Sequence, residues 1–189
     1  MSEGGLRVPL IISGPEIKKG KNQNFAFVTD IAATLSDIVF DEVDERIIGK
    51  SLQNSLAGSD EKNYTDSDSV GLEVTGNSAL FKGDFKIVRN RPPNGSNQWE
   101  LYNLSKDPGE TINLAKRMPD KLQELTVEYE AYAEKNGVIE LPLDYEWAAE
   151  MTINTFKRNY LPLIWKAAFF IVLATFLVLI LIRIRRNSR

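Results

Sequence analysis

One stretch of the sequence, Leu161–Ile182, limits what this chain can fold into more than any other. It is apolar on every helical face and contains a single charge, that of Lys166. As a helix it would be about 33 Å long, at about 1.5 Å per residue, enough to cross a hydrocarbon core of about 30 Å. Pro162 falls in the first turn, where its missing N–H costs little. The stretch predicts a transmembrane helix, since a buried core helix would need protein around every face.

The ends of this stretch carry residues that favour membrane interfaces. Tyr160 and Trp165 lie near its beginning, and a basic tail, residues 183–189, follows it. Amphipathic aromatic rings concentrate at the level of the lipid headgroups. Because basic residues also precede the span, counting positive charges leaves the membrane orientation open. We therefore expect a single-pass anchor with the lipid bilayer as its partner.

Charge and composition restrict what the anchor can carry. Residues 157–189 hold seven of the 23 basic residues and none of the 26 acidic ones, so residues 1–156 have a net charge of −10. Nucleic-acid binding requires a basic surface, and we expect no nucleic-acid partner. The chain has no cysteine and no histidine. Thiolate metal sites and a Ser-His-Asp triad are therefore excluded for this chain.

The first part of the chain has the pattern of one edge of an α/β layer. Val8–Ile12 is a short apolar run between breakers and predicts a buried strand. Thr29 or Asp30 can cap a helix that continues through Ile38. Its apolar residues at i, i+4 and i+7 share one face; they are Ile31, Leu35 and Ile38. A strand, a loop and a helix in this order are typical of an α/β layer.

The middle of the chain predicts a small antiparallel sheet covered by a helix. The strand candidates, separated by turn residues at Gly76-Asn77 and Gly83-Asp84, are Val70–Val74, Ala79–Phe81, Phe85–Val88 and Trp99–Leu104. A helix from Pro119 to Asn136, ended by Gly137, follows them. Its apolar side, expected to pack on the sheet as core, is formed by Leu122, Leu125, Tyr129, Tyr132 and Ala133. The fold class is therefore α+β.

Two motifs in the first part resemble the sulfatase family of the alkaline phosphatase superfamily, especially bacterial arylsulfatases. The family's Glu-Gly-Gly-x-Arg-x-Pro segment matches Glu3, Gly4, Gly5, Arg7 and Pro9. Its Asp-Ile-x-x-Thr-Leu helix matches the sequence from Asp30 to Leu35, and its Gly-x-Ser-Leu helix entry is similar to residues 49–52. The order and spacing of the motifs agree with the family.

The middle of the chain also resembles the sulfatase C-terminal subdomain. Its Lys-Gly-Asp-x-Lys strand pair is similar to residues 82–86, and its ELYNL-x-x-DP-x-E-x-x-NLA signature matches residues 100–115. The resemblance covers residues 3–145. It implies an edge of the sulfatase α/β domain at 1–58, the C-terminal subdomain with its helix 119–136 at 59–145, a linker at 146–160, the transmembrane helix at 161–182 and the basic tail.

The resemblance implies chemistry that this chain does not carry. Sulfatases use a formylglycine made from a Cys/Ser-x-Pro-x-Arg motif, with calcium and cationic residues stabilising sulfate charge. That motif is absent here, so we assign no catalytic residue, no metal ligand and no bound cofactor. Glu3, Gly4, Gly5 and Arg7 would lie beside the site of a complete enzyme. We expect Arg7 itself to be a buried charge paired with an acid.

The resemblance leaves two functional hypotheses. The first is a C-terminal segment of a membrane-anchored arylsulfatase, inactive alone, whose partners are an N-terminal catalytic portion and, through it, a sulfate ester. Met1–Pro9 has no signal-peptide pattern. In this hypothesis the soluble part would be periplasmic or extracytoplasmic if a signal peptide lies upstream. The alternative is a non-catalytic, tail-anchored adaptor that reuses the subdomain for binding.

Overall fold

The computed structural model describes residues 1–15, 17–142 and 144–187, which form two compact units, Met1–Glu140 and Leu141–Arg189. Its helices are α1 (Glu3–Leu6), α2 (Thr29–Phe40), α3 (Gln53–Leu56), α4 (Pro119–Asn136), α5 (Trp147–Asn159) and α6 (Leu161–Asn187). Its strands are β1 (Ser69–Val74), β2 (Asn77–Lys82), β3 (Phe85–Arg89) and β4 (Trp99–Asn103). An α+β fold is therefore confirmed.

The strands form one antiparallel sheet in the order β1-β2-β3-β4. Each lies within two residues of a predicted strand. The β1–β2 turn consists of Thr75 and Gly76, both with positive φ, whereas the sequence predicted Gly76-Asn77. Two-residue hairpin turns with positive φ at both positions match the twist of the strands. Asn77 is consequently the first residue of β2.

Helix α4 covers one face of the sheet, as predicted. Pro119 begins the helix, and Gly137 ends it in the left-handed conformation at φ 64°. Its core with the sheet comprises Leu80, Ile87, Leu101, Leu125 and Tyr129, with Leu122, Tyr132 and Ala133 packed around them. Gly71 allows the close approach of α4, since a Cβ there would lie 2.4 Å from the ring of Tyr132. This helix face and this sheet face together form a closed core.

The opposite face of the sheet is covered by the N-terminal segment. Ala79, Val88 and Tyr102 are buried there and contact Met1. Strand side chains alternate between the two faces, so Lys86 shares this face with Val88. The face thus combines apolar side chains with one central cation.

Helix α2 forms as predicted, but its apolar stripe is not buried. Asp30, Ala33 and Thr34 are the buried residues, whereas the predicted stripe is exposed, with Leu35 at 58%. Asp30 lies in the first turn and accepts a hydrogen bond from the N–H of Phe27. The helix therefore packs its small and polar side on its own unit.

The predicted strand at Val8–Ile12 is wrong for this structure. The segment has neither helix nor strand, and Ile11 is 87% exposed. A strand needs a neighbour that pairs with its backbone groups, and in the part of the chain that is described the sheet contains only β1 to β4. The apolar run therefore remains unpaired among the described residues and exposed.

The second unit consists of α5 and α6. Residues 146–160, predicted as a linker, contain α5, and α6 includes the predicted span 161–182. By length and composition, the helical stretch Ala149–Asn187 could cross a membrane, and its most apolar window is not buried. Of the predicted basic tail, residues 183–187 continue α6, whereas Arg189 lies outside the described residues.

Candidate functional site

A buried charge cluster lies on the sheet face opposite α4. The side chain of Lys86 is 0% exposed, and its Nζ lies 2.9 Å from Glu3 Oε1 and 2.7 Å from Glu110 Oε1. Lys86 Nζ also donates to the carbonyl oxygen of Met1, at 2.9 Å. Lys86 Nζ thus donates two hydrogen bonds, to Met1 and to Glu3, whereas Glu110 Oε1 pairs with it by charge alone and accepts no hydrogen bond among the described residues. We call Lys86, Glu3 and Glu110 the Lys86 cluster.

Backbone geometry brings the two acids of the Lys86 cluster together. The Glu3 N–H donates to Glu110 Oε2 at 2.7 Å, which attaches α1 directly to the loop after β4. Glu110 adopts a positive φ of 54° at the end of that loop. Asp107, three residues earlier, accepts the N–H groups of Thr111 and Ile112, both at 2.8 Å. These hydrogen bonds hold the pKa of Asp107 below its usual value and fix the loop that presents Glu110.

A second polar centre joins α2 to the loop before α3. Asp30 is 0% exposed, and its carboxylate accepts hydrogen bonds from the N–H groups of Phe27 and Lys50 and from the hydroxyl of Tyr64. Thr34 Oγ1 donates to the Asp30 carbonyl oxygen and accepts the N–H of Leu52. Burial, followed by the hydrogen bond to Asp30, raises the pKa of Tyr64. We call this arrangement the Asp30 centre.

Gly49 is required by the same arrangement. A Cβ at this position would lie 2.2 Å from the carbonyl oxygen of Thr29, a distance that side-chain atoms do not tolerate. The loop can therefore approach the start of α2 closely enough for the Lys50 N–H to reach Asp30, at 2.9 Å. The Asp-Ile-x-x-Thr-Leu and Gly-x-Ser-Leu motifs are thus two halves of one contact.

Residues 1–135 match the family described as N-sulphoglucosamine sulphohydrolase, C-terminal. The chain belongs to the sulfatase family. An uncharacterized sulfatase of Schizosaccharomyces pombe is 31% identical over 166 residues, covering 77% of this chain and 28% of that protein. Arylsulfatase K of Xenopus laevis is 28% identical over 136 residues, covering 66% and 25%.

A crystal structure from Bacteroides thetaiotaomicron, assigned as that of a sulfatase, is also similar. It is 27% identical with a TM-score of 0.48, over 65% of this chain and 28% of that chain. The present chain spans about a quarter of the length of the curated relatives it matches. The matching family model is that of a C-terminal sulfatase part, so the similarity concerns that part.

The Glu-Gly-Gly-x-Arg-x-Pro motif of the sulfatase is only partly included in the buried cluster. Glu3 belongs to the Lys86 cluster, whereas Gly4, Gly5 and Arg7 are exposed. The expectation that Arg7 is buried is therefore wrong. The apolar run that follows it has no covering element among the described residues, and nothing in that part of the chain shields Arg7 from solvent.

Lys86 and Glu110 are functional candidates that the sequence did not single out. Both lie in motifs that resemble the family, Lys-Gly-Asp-x-Lys and DP-x-E. The sequence does contain a sign of Lys86, because a lysine interrupts the apolar run Phe85–Val88, which predicts a buried strand. A lysine in a buried strand position requires an acidic partner. The partner Glu110 lies outside that strand, and local pattern alone does not identify it.

The carboxylates of the two polar centres of this sulfatase domain are engaged in contacts within the chain. Among the described residues, no group of three His, Cys, Asp or Glu side chains is placed to hold a metal ion. The carboxylates of Glu3 and Glu110 are both directed at Lys86, and that of Asp30 accepts three protein donors. These residues therefore do not fit the calcium or formylglycine site of the family.

Proposed function

We propose that this chain is the C-terminal part of a membrane-anchored sulfuric ester hydrolase of the arylsulfatase type. In this proposal the reacting centre belongs to an N-terminal catalytic portion outside the chain, and the chain contributes a scaffold and an anchor. The match to a C-terminal sulfatase family, over about a quarter of the relatives' length, supports this assignment. A sulfate ester would be the substrate of the complete enzyme only.

The observation that carries the proposal is the set of large apolar side chains that are exposed in the first unit. It extends over the segment after α1, α2 and the loop that follows; its exposed members include Val8, Leu10, Ile11, Ile31, Leu35, Ile38, Val39, Phe40 and Ile48. Exposed apolar surface of this extent marks an interaction site. Burying one such side chain stabilises a complex by about 1.5–3 kcal/mol. We assign the catalytic portion as the partner that covers it.

The Lys86 cluster gives this scaffold a specific task. It fixes Glu3, and with it the start of the Glu-Gly-Gly turn, against the sheet through direct contacts of 2.7 to 2.9 Å. In the family that turn lies beside the active site. Calcium and formylglycine would be supplied by the catalytic portion. The chain would then position the Glu-Gly-Gly turn beside the active site of the complete enzyme and would take no part in the reaction itself.

Membrane attachment is the second part of the proposal. Helix α6 is exposed along the whole of its described length, and its last turn carries Arg185 and Arg186. Uniformly apolar helices are stable in lipid because every backbone group is bonded within the helix. We infer a single crossing with the arginine-rich end in the cytoplasm. The first unit would then be extracytoplasmic, given an upstream signal peptide.

The decisive experiment combines an activity assay with a reading of the coding DNA. The purified chain should release no product from a chromogenic aryl sulfate. The DNA upstream of Met1 should continue in frame to a Cys/Ser-x-Pro-x-Arg motif and a signal peptide. Turnover by the chain alone would contradict the proposal. A stop codon and a ribosome-binding site directly before Met1 would instead support the adaptor.

A further inference from the structure

Helix α5 has two chemically different faces. Ala149, Ile153, Phe156 and Tyr160 follow the spacing i, i+4, i+7 and i+11, which places them along one side of a helix. Glu150, Asn154 and Lys157 occupy the neighbouring side, and Arg158 projects opposite Phe156. Met151 lies outside the stripe and is exposed. We call Ile153, Phe156 and Tyr160, the large residues of the stripe, the α5 apolar stripe.

The α5 apolar stripe is uncovered within its own unit. Ile153 and Tyr160 are exposed, and Phe156 is 48% exposed. The rings of Phe156 and Tyr160 stack with their centroids 5.7 Å apart, forming one continuous aromatic surface. An amphipathic helix in water normally places such a surface against protein. Here it faces outward, directly before the most apolar segment of the chain.

The junction between α5 and α6 is suited to a change of direction. The N–H of Tyr160 donates to the Phe156 carbonyl oxygen at 2.9 Å, and that of Ile164 to the Tyr160 carbonyl oxygen at 3.0 Å, so hydrogen bonding continues across the junction. Pro162 lacks an N–H, and its ring crowds the preceding turn, as prolines within helices do. Kinks concentrate at such positions. Helix α5 therefore need not continue along the axis of α6.

The charges of this region complement a phospholipid surface. Lys157 and Arg158 occupy the last turn of α5, and Lys166 lies in the second turn of α6. No acidic residue follows Glu150 in the sequence. Long basic side chains next to an apolar surface extend their charged groups toward lipid phosphates. A protein groove would need acidic residues of its own to provide the same complement.

We propose that α5 lies in the lipid–water interface of the bilayer that α6 crosses. The α5 apolar stripe would face the acyl chains, and Lys157 and Arg158 would reach the phosphate groups. The aromatic pair at the junction belongs at this depth, where amphipathic rings concentrate. This inference rests on the proposed membrane crossing by α6. It adds that the chain before α6 is held on the membrane surface.

The chain contains no cysteine, so single spin labels can be placed without altering other positions. We would label Ile153→Cys and Phe156→Cys on the stripe, Asn154→Cys on the polar side as the matched control, and Val172→Cys within α6. Each variant of the full chain is reconstituted in nanodiscs of phosphatidylcholine and phosphatidylglycerol. The accessibility of each label to oxygen, which concentrates in lipid, and to a water-soluble nickel chelate is then measured.

The labels at 153 and 156 should be several-fold less accessible to nickel than the label at 154, and more accessible to oxygen. The label at 172 should be closed to nickel. Equal nickel accessibility at 153, 154 and 156, with 172 protected, overturns the interfacial position of α5 while the membrane crossing stands. Labels at 153 and 156 closed to both probes indicate protein packing and overturn it as well. Access of nickel to the label at 172 would show that α6 does not cross the membrane, and the inference about α5 would then be overturned as well.

Discussion

Two regions of the same compact unit differ in how their apolar residues are placed. One region is the sheet together with α4, and the other is the segment Met1–Gly58. Leu80, Ile87 and Leu125 are completely buried between the sheet and α4. In the N-terminal segment, Ile11 and Phe40 are exposed. One part finds its apolar partners within about 70 residues of chain, whereas the other has apolar surface that no described element covers. One unit thus contains both a buried core, between the sheet and α4, and an exposed set of apolar residues, in the N-terminal segment. We call the second the open core.

Polar and aromatic contacts attach the open part to the closed one. The Lys86 cluster holds α1 on the sheet, and the ring of Phe25 lies 5.3 Å from that of Phe81 on β2. Within the N-terminal segment, the Asp30 centre joins α2 to the loop before α3. Ion pairs and hydrogen bonds require defined geometry, whereas apolar packing tolerates rearrangement. The position of the N-terminal segment is therefore specified by a few directional contacts.

Removing the cation of the Lys86 cluster should have the largest effect. Lys86→Ala removes the buried cation that pairs with the carboxylates of Glu3 and Glu110, which costs about 3–5 kcal/mol. Urea unfolding measures the loss, and hydrogen exchange should show the amides of α1 losing protection first. Lys82→Ala is the matched control, because Lys82 on the next strand pairs with Glu128 near the surface. That change should cost about 1 kcal/mol or less.

Equal losses from the two lysine changes would contradict this ranking. So would a Lys86→Ala chain whose α1 amides keep their protection. In either case the cluster would not be what holds the N-terminal segment, and the apolar contacts of Met1 would have to suffice.

Truncating the closed core should rank next. Leu125→Ala removes a fully buried side chain from between α4 and the sheet and should cost about 2–5 kcal/mol. Val127→Ala changes a residue of the same helix that is about half exposed, and it should stay within about 0.5 kcal/mol of the parent. Thermal and urea unfolding of the two variants give the comparison. Similar losses would mean that α4 is not packed as the structure shows.

Filling the contact between β1 and α4 should be less damaging. Gly71→Ala places a methyl group against the ring of Tyr132, and overpacking of this kind costs about 1–3 kcal/mol. Gly109→Ala is the control, because its Cβ would meet only Thr111 at 3.6 Å, an ordinary contact. A neutral Gly71→Ala variant would show that α4 can move away from the sheet without loss.

Acid should weaken one contact of the N-terminal segment by a small amount. The hydrogen bond from Lys50, whose Nζ lies 2.7 Å from Asp68, lowers the pKa of Asp68 from 3.8 to about 2. A lowered folded-state pKa gives stability that is complete above 3.8 and is lost as the pH falls toward 2. The contribution should be under about 1 kcal/mol, because the pair lies near the surface.

Asp68→Asn removes this contribution, so the stability difference between parent and variant should shrink as the pH falls through that window. Asp66→Asn changes an exposed acid of the same loop and should follow the parent. A difference that is constant through the window would show that the Asp68 carboxylate is not what the loop depends on.

The same contrast explains which features the sequence could predict. The strands and α4 were predictable because their apolar periodicity and turn residues agree with contacts that form nearby in the chain. The strand at Val8–Ile12 was not, since pairing depends on a neighbour that the local pattern does not contain. Lys86 was visible as an anomaly, but its partner Glu110 lies on a separate loop. The prediction that Arg7 is buried was wrong for the same reason, because burial depends on the elements that surround a residue and not on its local sequence.

The smallest expected effect is the most informative about the open core. Leu35→Lys changes an apolar residue of α2 that is 58% exposed and should alter the unfolding free energy of this chain by no more than about 0.5 kcal/mol. Leu52→Ala, at a buried position held by the Asp30 centre, should cost about 2–5 kcal/mol. If the two losses are instead comparable, the α2 stripe is already covered in solution. Its cover would then be a second copy of this chain, detectable as a dimer by sedimentation, and the surface would not be reserved for a catalytic portion.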